Sequence, residues 1–506
     1  MFRLRKGAIW LIVTGVLIGI ILVLMLLLFN GRFHFGPMNH MMENGSFDEN
    51  MNGNMMDDFG FMGDGSSSAL SSSDEPEQAL PIPNRLKADR VTDGAVYYTL
   101  EANEGTHQFF RSGKPSETLG YNGDLLGPMI ELPTGKTVYI DTVNRLKEET
   151  SFHWHGLVVP GEMDGGPHQR VASGEQARVK IDVNQDPGTL WFHPHPMGAT
   201  AEQVYKGLAG LLYVTDPKTE GALPHEYGVD DIPLIVQDRL FTKDGQLDYD
   251  AQMNVDGTVG DTLLANGAIN TTFDVTTETL RVRLVNGSNA RKFSFSLSNG
   301  QSFTQIATDG GLLDEPVQLD TLTLTPGERA ELLLDFSDQQ TGDTVAIEAN
   351  GVAFTTFNIG DLTQQPVNLR SKTPAEDQPS VKADRQLTLF GMGHMVSIDG
   401  KTYDPDRIDI SVKQGSTEVW EIYNRKDMMG GMTHPFHIHG VQFRILSRDG
   451  QPPADNERGW KDTVAVEPGE KVKIEMTFTE PGLFMYHCHI LEHEENGMMG
   501  QLLVNP

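Results

Sequence analysis

The chain has 506 residues and a formal net charge of -31, and its 38% hydrophobic residues, 53 glycines and 27 prolines are typical of a globular protein rich in turns. Such an excess of acidic groups would repel a phosphate backbone, so it excludes a nucleic-acid partner and favours a cationic substrate or metal ion. The single cysteine, Cys488, excludes an intrachain disulfide.

Residues 1–30 are predicted to form a transmembrane signal anchor. Segment 8–29 is an almost unbroken apolar run that follows Arg3, Arg5 and Lys6. A run of about 20 apolar residues can cross a bilayer as a helix, and the basic flank keeps the N-terminus in the cytoplasm. We therefore expect a single-pass protein of the cell membrane whose remaining part is extracytoplasmic. A cleaved signal peptide is the alternative interpretation.

Residues 31–80 are predicted to be a disordered tether. Seven methionines fall between Gly31 and Gly65, together with His34 and His40, and a serine-rich stretch follows them. So few branched apolar residues cannot support a core. The tract is either a flexible spacer or a set of thioether ligands that collects copper(I), because soft sulfur ligands favour that ion.

From residue 81 onward, short alternating strands separated by Gly/Pro turns indicate an all-β protein. A Gly-Glu turn followed by a strand recurs at Gly174, Gly327 and Gly469, and an earlier alternating strand recurs before three asparagines, Asn144, Asn286 and Asn424. A recurring unit is the signature of repeated domains. We expect three related β domains, at residues 81–217, 222–365 and 383–506, with the middle one as a structural spacer.

Ten of the 16 histidines form four clusters in the first and third repeats. They are His153-Trp154-His155, His193-Pro194-His195, His434-Pro435-Phe436-His437-Ile438-His439, and His487-Cys488-His489 with His493. On a strand, residues two apart point to the same face, so each His-x-His pair presents two imidazoles to one side. Four facing pairs supply eight imidazoles, too many for one ion. The pattern therefore predicts a polynuclear site for copper, iron, zinc or nickel.

Cys488 lies between two histidines of that set, so its side chain points the opposite way. With His434, His493 and Met498 it supplies two imidazoles, a thiolate and a weak thioether, which is the blue-copper ligand set. Structural zinc sites prefer more thiolates. The tripeptide His487-Cys488-His489 would then join the mononuclear copper to the polynuclear site.

These motifs, with FHWHGLVVPGEMDGGP, HPFHIHG and HCHILEHEENGMM as their longest runs, resemble those of the multicopper oxidase family, which includes laccases and CueO-type cuprous oxidases. The resemblance covers the chain from about residue 81 to the end and implies three cupredoxin-like Greek-key β-barrel domains. It also implies four copper ions: one type 1, one type 2 and a type 3 pair. The implied ligands are His434, Cys488, His493 and Met498 for type 1; His153 and His437 for type 2; and His155, His193, His195, His439, His487 and His489 for type 3.

The resemblance implies that Cys488 accepts electrons from a reducing substrate and that dioxygen is reduced to water. It also implies that Asp164 and Glu494 supply the protons this reaction consumes; a turn aspartate and a solvated glutamate are the alternative. A copper-free scaffold is a competing interpretation that the complete ligand set disfavours, and a nitrite reductase would not need the His-x-His pairs. A copper-binding or storage protein, suggested by the methionine tract, stays open as an alternative.

The substrate is predicted to be a small phenolic compound or copper(I). Asp427, Met428 and Met429 resemble the substrate ligands of cuprous oxidases, and segment 391–395 contains two further methionines. The long methionine-rich insertion of CueO-type enzymes is absent from the third repeat, which favours an open laccase-like site. Both substrate classes stay open at this point.

Overall fold

The computed structural model describes residues 69–216, 218, 223–250, 256–364, 367–369, 380–426 and 430–506. The predicted anchor, most of the predicted tether, and Asp427, Met428 and Met429 lie outside these ranges. Within the described ranges, no helix is both long and apolar enough to cross a bilayer.

The first repeat consists of two sheets. Its strands are β2 (Arg90–Val91), β3 (Ala95–His107), β4 (Ser116–Tyr121), β5 (Met129–Pro133), β6 (Thr137–Asn144), β7 (Gln176–Asp182), β8 (Gly188–Phe192) and β9 (Gly210–Thr215). One sheet has the order β2-β3-β6-β7, with β4 also paired to β3, and the other has the order β5-β9-β8. Alternate apolar residues such as Val138 and Ile140 fill the core between them.

The middle repeat contains two six-stranded sheets. Its strands are β1 (Gln78–Ala79), β10 (Asp231–Arg239), β11 (Thr262–Ala265), β12 (Thr271–Thr277), β13 (Thr279–Asn286), β14 (Phe293–Leu297), β15 (Phe303–Thr308), β16 (Gly311–Leu319), β17 (Leu322–Leu324), β18 (Arg329–Asp335), β19 (Thr344–Ala349) and β20 (Val352–Thr363). The orders are β1-β12-β20-β19-β14-β17 and β11-β10-β13-β18-β15-β16. Strand β1 and the buried Leu80 belong to the segment predicted as a tether. The last residues of that segment are ordered because the apolar side chain of Leu80 packs into this core.

The third repeat consists of two five-stranded sheets. Its strands are β21 (Arg385–Phe390), β22 (Ser397–Ile398), β23 (Ile410–Lys413), β24 (Thr417–Asn424), β25 (His434–Ile438), β26 (Phe443–Arg448), β27 (Thr463–Val466), β28 (Lys471–Thr477), β29 (Gly482–Cys488) and β30 (Met499–Asn505). The orders are β22-β21-β24-β28-β26 and β23-β30-β29-β25-β27.

Short helical segments interrupt the strands of the first and third repeats. The first repeat contains α1 (Thr200–Tyr205) and a 3-10 turn at Gly161–Met163. The third repeat contains α2 (Leu491–Glu495) and a 3-10 turn at Asp455–Glu457.

The same pairing order occurs in all three repeats. One strand runs parallel to a central strand that is antiparallel to a third, in the sets β3-β6-β7, β10-β13-β18 and β21-β24-β28. Each central strand ends in a buried asparagine whose side-chain amide donates to two main-chain carbonyls. The glycine N–H of the Gly-Glu turn donates to that asparagine's carbonyl, at 2.9, 3.0 and 2.7 Å in the three copies. The same strand order and the same turn therefore recur in three copies along the chain.

Candidate metal centre

Strands β25 and β29 lie side by side in the third repeat. They carry His434, His437 and His487, and His439 and His489 directly follow them. They pair antiparallel, with Phe436 opposite Cys488 and His437 opposite His487. Because side chains alternate along a strand, His487 and His489 point to one side and Cys488 to the other. The structure groups His487 with His195 and His439, whereas it groups Cys488 with His434 and His493. The opposed orientation predicted from the sequence is confirmed.

A compact mononuclear cluster surrounds Cys488. Its Sγ lies 3.4 Å from His434 Nδ1 and 3.7 Å from His493 Nδ1. The sulfur-containing side chain of Met498 is fully buried in the same core, and its main chain bonds to Cys488 and to His493. Burial raises the pKa of the Cys488 thiol and lowers the pKa of His434 to about 4. A bound cation would stabilise the thiolate against this burial.

Eight imidazoles line a second cavity between the first and third repeats. Each is at most 1% exposed. They are His153, His155, His193, His195, His437, His439, His487 and His489. The His153 and His439 rings stack with centroids 3.9 Å apart, and the His155 and His437 rings stack at 3.7 Å. The structure therefore brings together all four His-x-His pairs predicted from the sequence.

Most of these rings hold one nitrogen against a protein oxygen outside the cavity. His153 Nδ1 lies 3.0 Å from the Asp164 carbonyl oxygen, and His437 Nδ1 lies 2.9 Å from that of Asp462. Main-chain carbonyls accept from His193 Nδ1 at 2.9 Å and from His487 Nδ1 at 3.1 Å in the same way. Such outer hydrogen bonds fix the tautomer, so the other nitrogen presents a lone pair to the cavity.

The inward nitrogens face one another. His487 Nε2 lies 3.2 Å from His195 Nε2 and 3.1 Å from His439 Nε2. Among the residues that the structure describes, the Nε2 atoms of His153 and His437 have no hydrogen-bond partner. Burial, followed by the charges of neighbouring histidines, lowers the pKa of His195, His437 and His439 well below the ordinary value. Neutral rings whose lone pairs converge at a buried site fit metal ions with a preference for imidazole, copper among them.

The structure places Asp164 and Glu494 at this cavity. Asp164 Oδ2 accepts a hydrogen bond from His439 Nδ1 at 2.7 Å. The Glu494 carboxyl lies 3.1 Å from His195 Nδ1 and 3.3 Å from His487 Nδ1. Both acids are buried, and burial raises the pKa of Glu494 well above its ordinary value. A protonated carboxyl at this position can donate a proton into the cavity.

Sequence reasoning missed Asp462, which also touches the cavity. Its Oδ1 lies 3.0 Å from His155 Nε2, so His155 directs the opposite nitrogen, Nδ1, inward. Burial raises the pKa of Asp462, but the charge and hydrogen bonds of Arg329 outweigh it and the net pKa is lowered. The only available signal was a Lys-Asp pair immediately before the buried strand Thr463–Val466.

The loop 391–395 lies at the edge of the mononuclear cluster. The main chain of Gly391 hydrogen-bonds to the His434 imidazole. His394 Nδ1 lies 2.9 Å from Asn496 Oδ1, immediately after helix α2, and the Met395 side chain is 81% exposed. An exposed thioether therefore lies on the same loop as the residue that hydrogen-bonds to the His434 imidazole.

Comparisons with known proteins agree with this geometry. Three family models, each described as multicopper oxidase, match residues 103–219, 221–369 and 372–506. The multicopper oxidase mco of Staphylococcus epidermidis is 44% identical over 432 residues, which cover 85% of this chain and 94% of that protein.

Solved structures share the architecture. A laccase from Pediococcus acidilactici superimposes with a TM-score of 0.83 and 42% identity, covering 88% of this chain and 97% of the laccase. A Campylobacter jejuni protein described as a metallo-oxidase superimposes with a TM-score of 0.73 and 28% identity, covering 88% of this chain and 99% of that one.

Proposed function

Because this chain belongs to the multicopper oxidase family, a family of enzymes that carry four copper ions, we propose that it couples one-electron oxidation of a reducing substrate to the four-electron reduction of dioxygen to water. The observation that carries the proposal is the segment His487-Cys488-His489, in which His487 and Cys488 belong to two different groups of side chains that could hold a metal ion. When bound, the copper ions supply the one-electron steps and the site of dioxygen reduction.

The proposed ligands follow the two clusters. Type 1 copper is held by His434, Cys488, His493 and Met498, and the other ions by the eight imidazoles of the cavity, with His153 and His437 assigned to type 2 and the remaining six to the type 3 pair. Their burial and inward lone pairs support this assignment. Cys488 is bonded through the main chain to His487 and His489, which gives an electron a short covalent route between the sites.

We assign proton delivery to Asp164 and Glu494. Water formation consumes protons, so an acid beside the cavity contributes directly to the rate. Burial raises the pKa of Glu494 well above its ordinary value, which favours the protonated acid, and its carboxyl contacts the outer nitrogens of His195 and His487. Asp164 contacts His439 from the opposite repeat.

The proposed substrate is a phenolic compound or copper(I). Asp427, Met428 and Met429 are kept as proposed copper(I) ligands on sequence grounds. The net charge of -31 attracts cations, and the exposed Met395 adds a thioether near the mononuclear cluster. These features support copper(I) as a specific second candidate beside phenols.

We also propose that residues 8–29 anchor the enzyme in the cell membrane, with the metal-binding part outside the cytoplasm. The support is the apolar run behind a basic flank. Fractionation of cells, followed by protease treatment of intact cells, tests this arrangement. Recovery of the full-length chain from the cytoplasmic fraction would contradict it.

The function is tested by oxygen uptake of the copper-loaded full chain in detergent, with copper(I) and a methoxyphenol in parallel. Consumption of four reducing equivalents per dioxygen supports the oxidase. Faster turnover of copper(I) identifies a cuprous oxidase, and faster turnover of the phenol identifies a laccase. Copper binding without oxygen uptake would leave only the storage role.

A further inference from the structure

One arginine of the middle repeat reaches both of the other repeats. Arg329, the first residue of β18, is buried. Its Nη1 and Nη2 donate to Asp462 Oδ1 and Oδ2 at 2.6 and 2.7 Å, a bidentate ion pair. Its Nε donates to the Thr189 carbonyl at 3.1 Å. Thr189 lies on β8, the strand that leads to His193.

Arg329 is itself held in a fixed position. Its guanidinium donates to the Gly327 carbonyl and to the Asp309 carbonyl, each at 3.0 Å. The Asp309 carboxylate accepts from the Arg329 main-chain N–H at 2.7 Å, and Lys461 Nζ lies 2.9 Å from its other oxygen. A side chain held at so many points cannot follow a displaced partner, so it can serve as a rigid support.

The pair acts on a cavity histidine through one carboxylate oxygen. Asp462 Oδ1 accepts from His155 Nε2 at 3.0 Å, and His155 Nδ1 lies 3.4 Å from His193 Nε2. With the proton on Nε2, the lone pair is on Nδ1 and points to the cavity. The opposite tautomer would place an N–H there and could not bind a metal ion.

Two glycines leave room for this contact between repeats. A Cβ atom on Gly156, which follows His155, would lie 2.6 Å from Asp462 Oδ2 and 2.8 Å from Arg329 Nη2. A Cβ atom on Gly327 would lie 3.1 Å from the His489 ring. The backbone of the middle repeat therefore packs directly against a cavity histidine.

We propose that the middle repeat contributes a positioning residue, Arg329, to the polynuclear centre. Arg329 holds Asp462, and Asp462 orients His155 so that its Nδ1 faces the type 3 copper pair. This inference rests on the proposed function, because it assumes copper in that cavity. The mononuclear site lies wholly within the third repeat and does not contact Arg329, so it serves as an internal reference.

The test compares Arg329→Lys with Arg281→Lys as the matched control. Lysine keeps the charge but cannot form the two-pronged contact with a carboxylate. Arg281 is equally buried in the middle repeat, but its carboxylate partner is Glu331, at 2.9 Å from Nε. Total copper, blue absorption of the type 1 site, near-ultraviolet absorption of the type 3 pair and the apo-protein melting temperature are measured for each full-length variant.

We expect Arg329→Lys to keep its blue absorption while its affinity for cavity copper and its oxygen uptake fall by about 10–100-fold, the usual effect of removing an outer partner of a ligand. Arg281→Lys should keep both copper sites. Asp462→Ala, which removes the oxygen that accepts from His155 Nε2, should reproduce the selective loss if Arg329→Lys fails to fold. The inference would be overturned if Arg329→Lys and Arg281→Lys lost type 1 copper and cavity copper equally. It would also be overturned if Arg329→Lys kept all of its cavity copper. Absence of oxygen uptake by the wild-type protein would instead contradict the proposed function.

Discussion

Asp164 Oδ2 and His439 Nδ1 form a 2.7 Å hydrogen bond across 275 positions of sequence. The aspartate comes from the first repeat, and the histidine directly follows strand β25 of the third. The bond directs His439 Nε2 toward His487 Nε2, 3.1 Å away. Closing the contact between the repeats therefore also orients a proposed copper ligand.

Asp164→Asn is expected to lower kcat by about 10–100-fold while copper content stays near that of the wild type. The asparagine oxygen can still accept from His439, but the side chain can no longer carry a proton. Glu162→Gln is the control, because Glu162 is exposed on the same turn. Copper loss in parallel with activity would assign Asp164 a purely structural role.

Glu494→Gln is expected to lower kcat by about 100-fold or more, because glutamine cannot donate a proton to the cavity. The measurement is kcat for oxygen uptake across a pH series. Glu495→Gln is a close control: Glu495 lies on the same helix, but its carboxylate accepts from the Ala201 N–H at 2.8 Å. Similar losses in the two variants would remove Glu494 as the specific proton donor.

Cys488→Ser is expected to abolish the blue absorption and all substrate oxidation. A hydroxyl does not replace the soft thiolate of a blue-copper site, whereas the eight cavity imidazoles are left in place. Absorption spectra, copper content and oxygen uptake check this result, with retained cavity copper as evidence of folding. Continued oxygen consumption would exclude Cys488 from the electron route.

The free energy of unfolding of the copper-free protein should depend on pH. Burial lowers the pKa of His487 from 6.5 to about 3 and that of His434 to about 4, so the folded apo protein binds fewer protons than the unfolded chain below about pH 6.5. Stability should therefore fall as the pH drops from 7 toward 5, by up to about 1.4 kcal/mol per pH unit for each such histidine. An apo melting temperature that is the same at pH 5 and pH 7 would contradict this.

Asp427→Ala is expected to weaken copper(I) oxidation more than phenol oxidation, because a carboxylate attracts the cation but not a neutral phenol. The ratio of the two kcat/KM values is the measurement. Asp406→Ala, which removes an exposed carboxylate elsewhere in the third repeat, controls for the change in net charge. Equal losses for both substrates would exclude Asp427 as a substrate ligand.

Local patterns in the sequence determined the threefold repeat and the grouping of the ligands. The two-residue spacing in each His-x-His pair directs both rings to one face, and Cys488 between two histidines must then point to the other. Both conclusions follow from strand geometry, which depends only on neighbouring residues. The recurring asparagine and Gly-Glu turn likewise depend on the same short-range contacts in each copy.

Only the tertiary structure decided which oxygen holds each ligand ring. His155 and Asp462 are 307 positions apart, and Asp462 and Arg329 are 133 apart, so no local spacing relates them. The inward nitrogen of His155, and the contribution of the middle repeat to the cavity, result from how three similar barrels pack together. The physical reason is that strand periodicity fixes a side chain's direction, whereas its hydrogen-bond partner depends on which distant surface is buried against it.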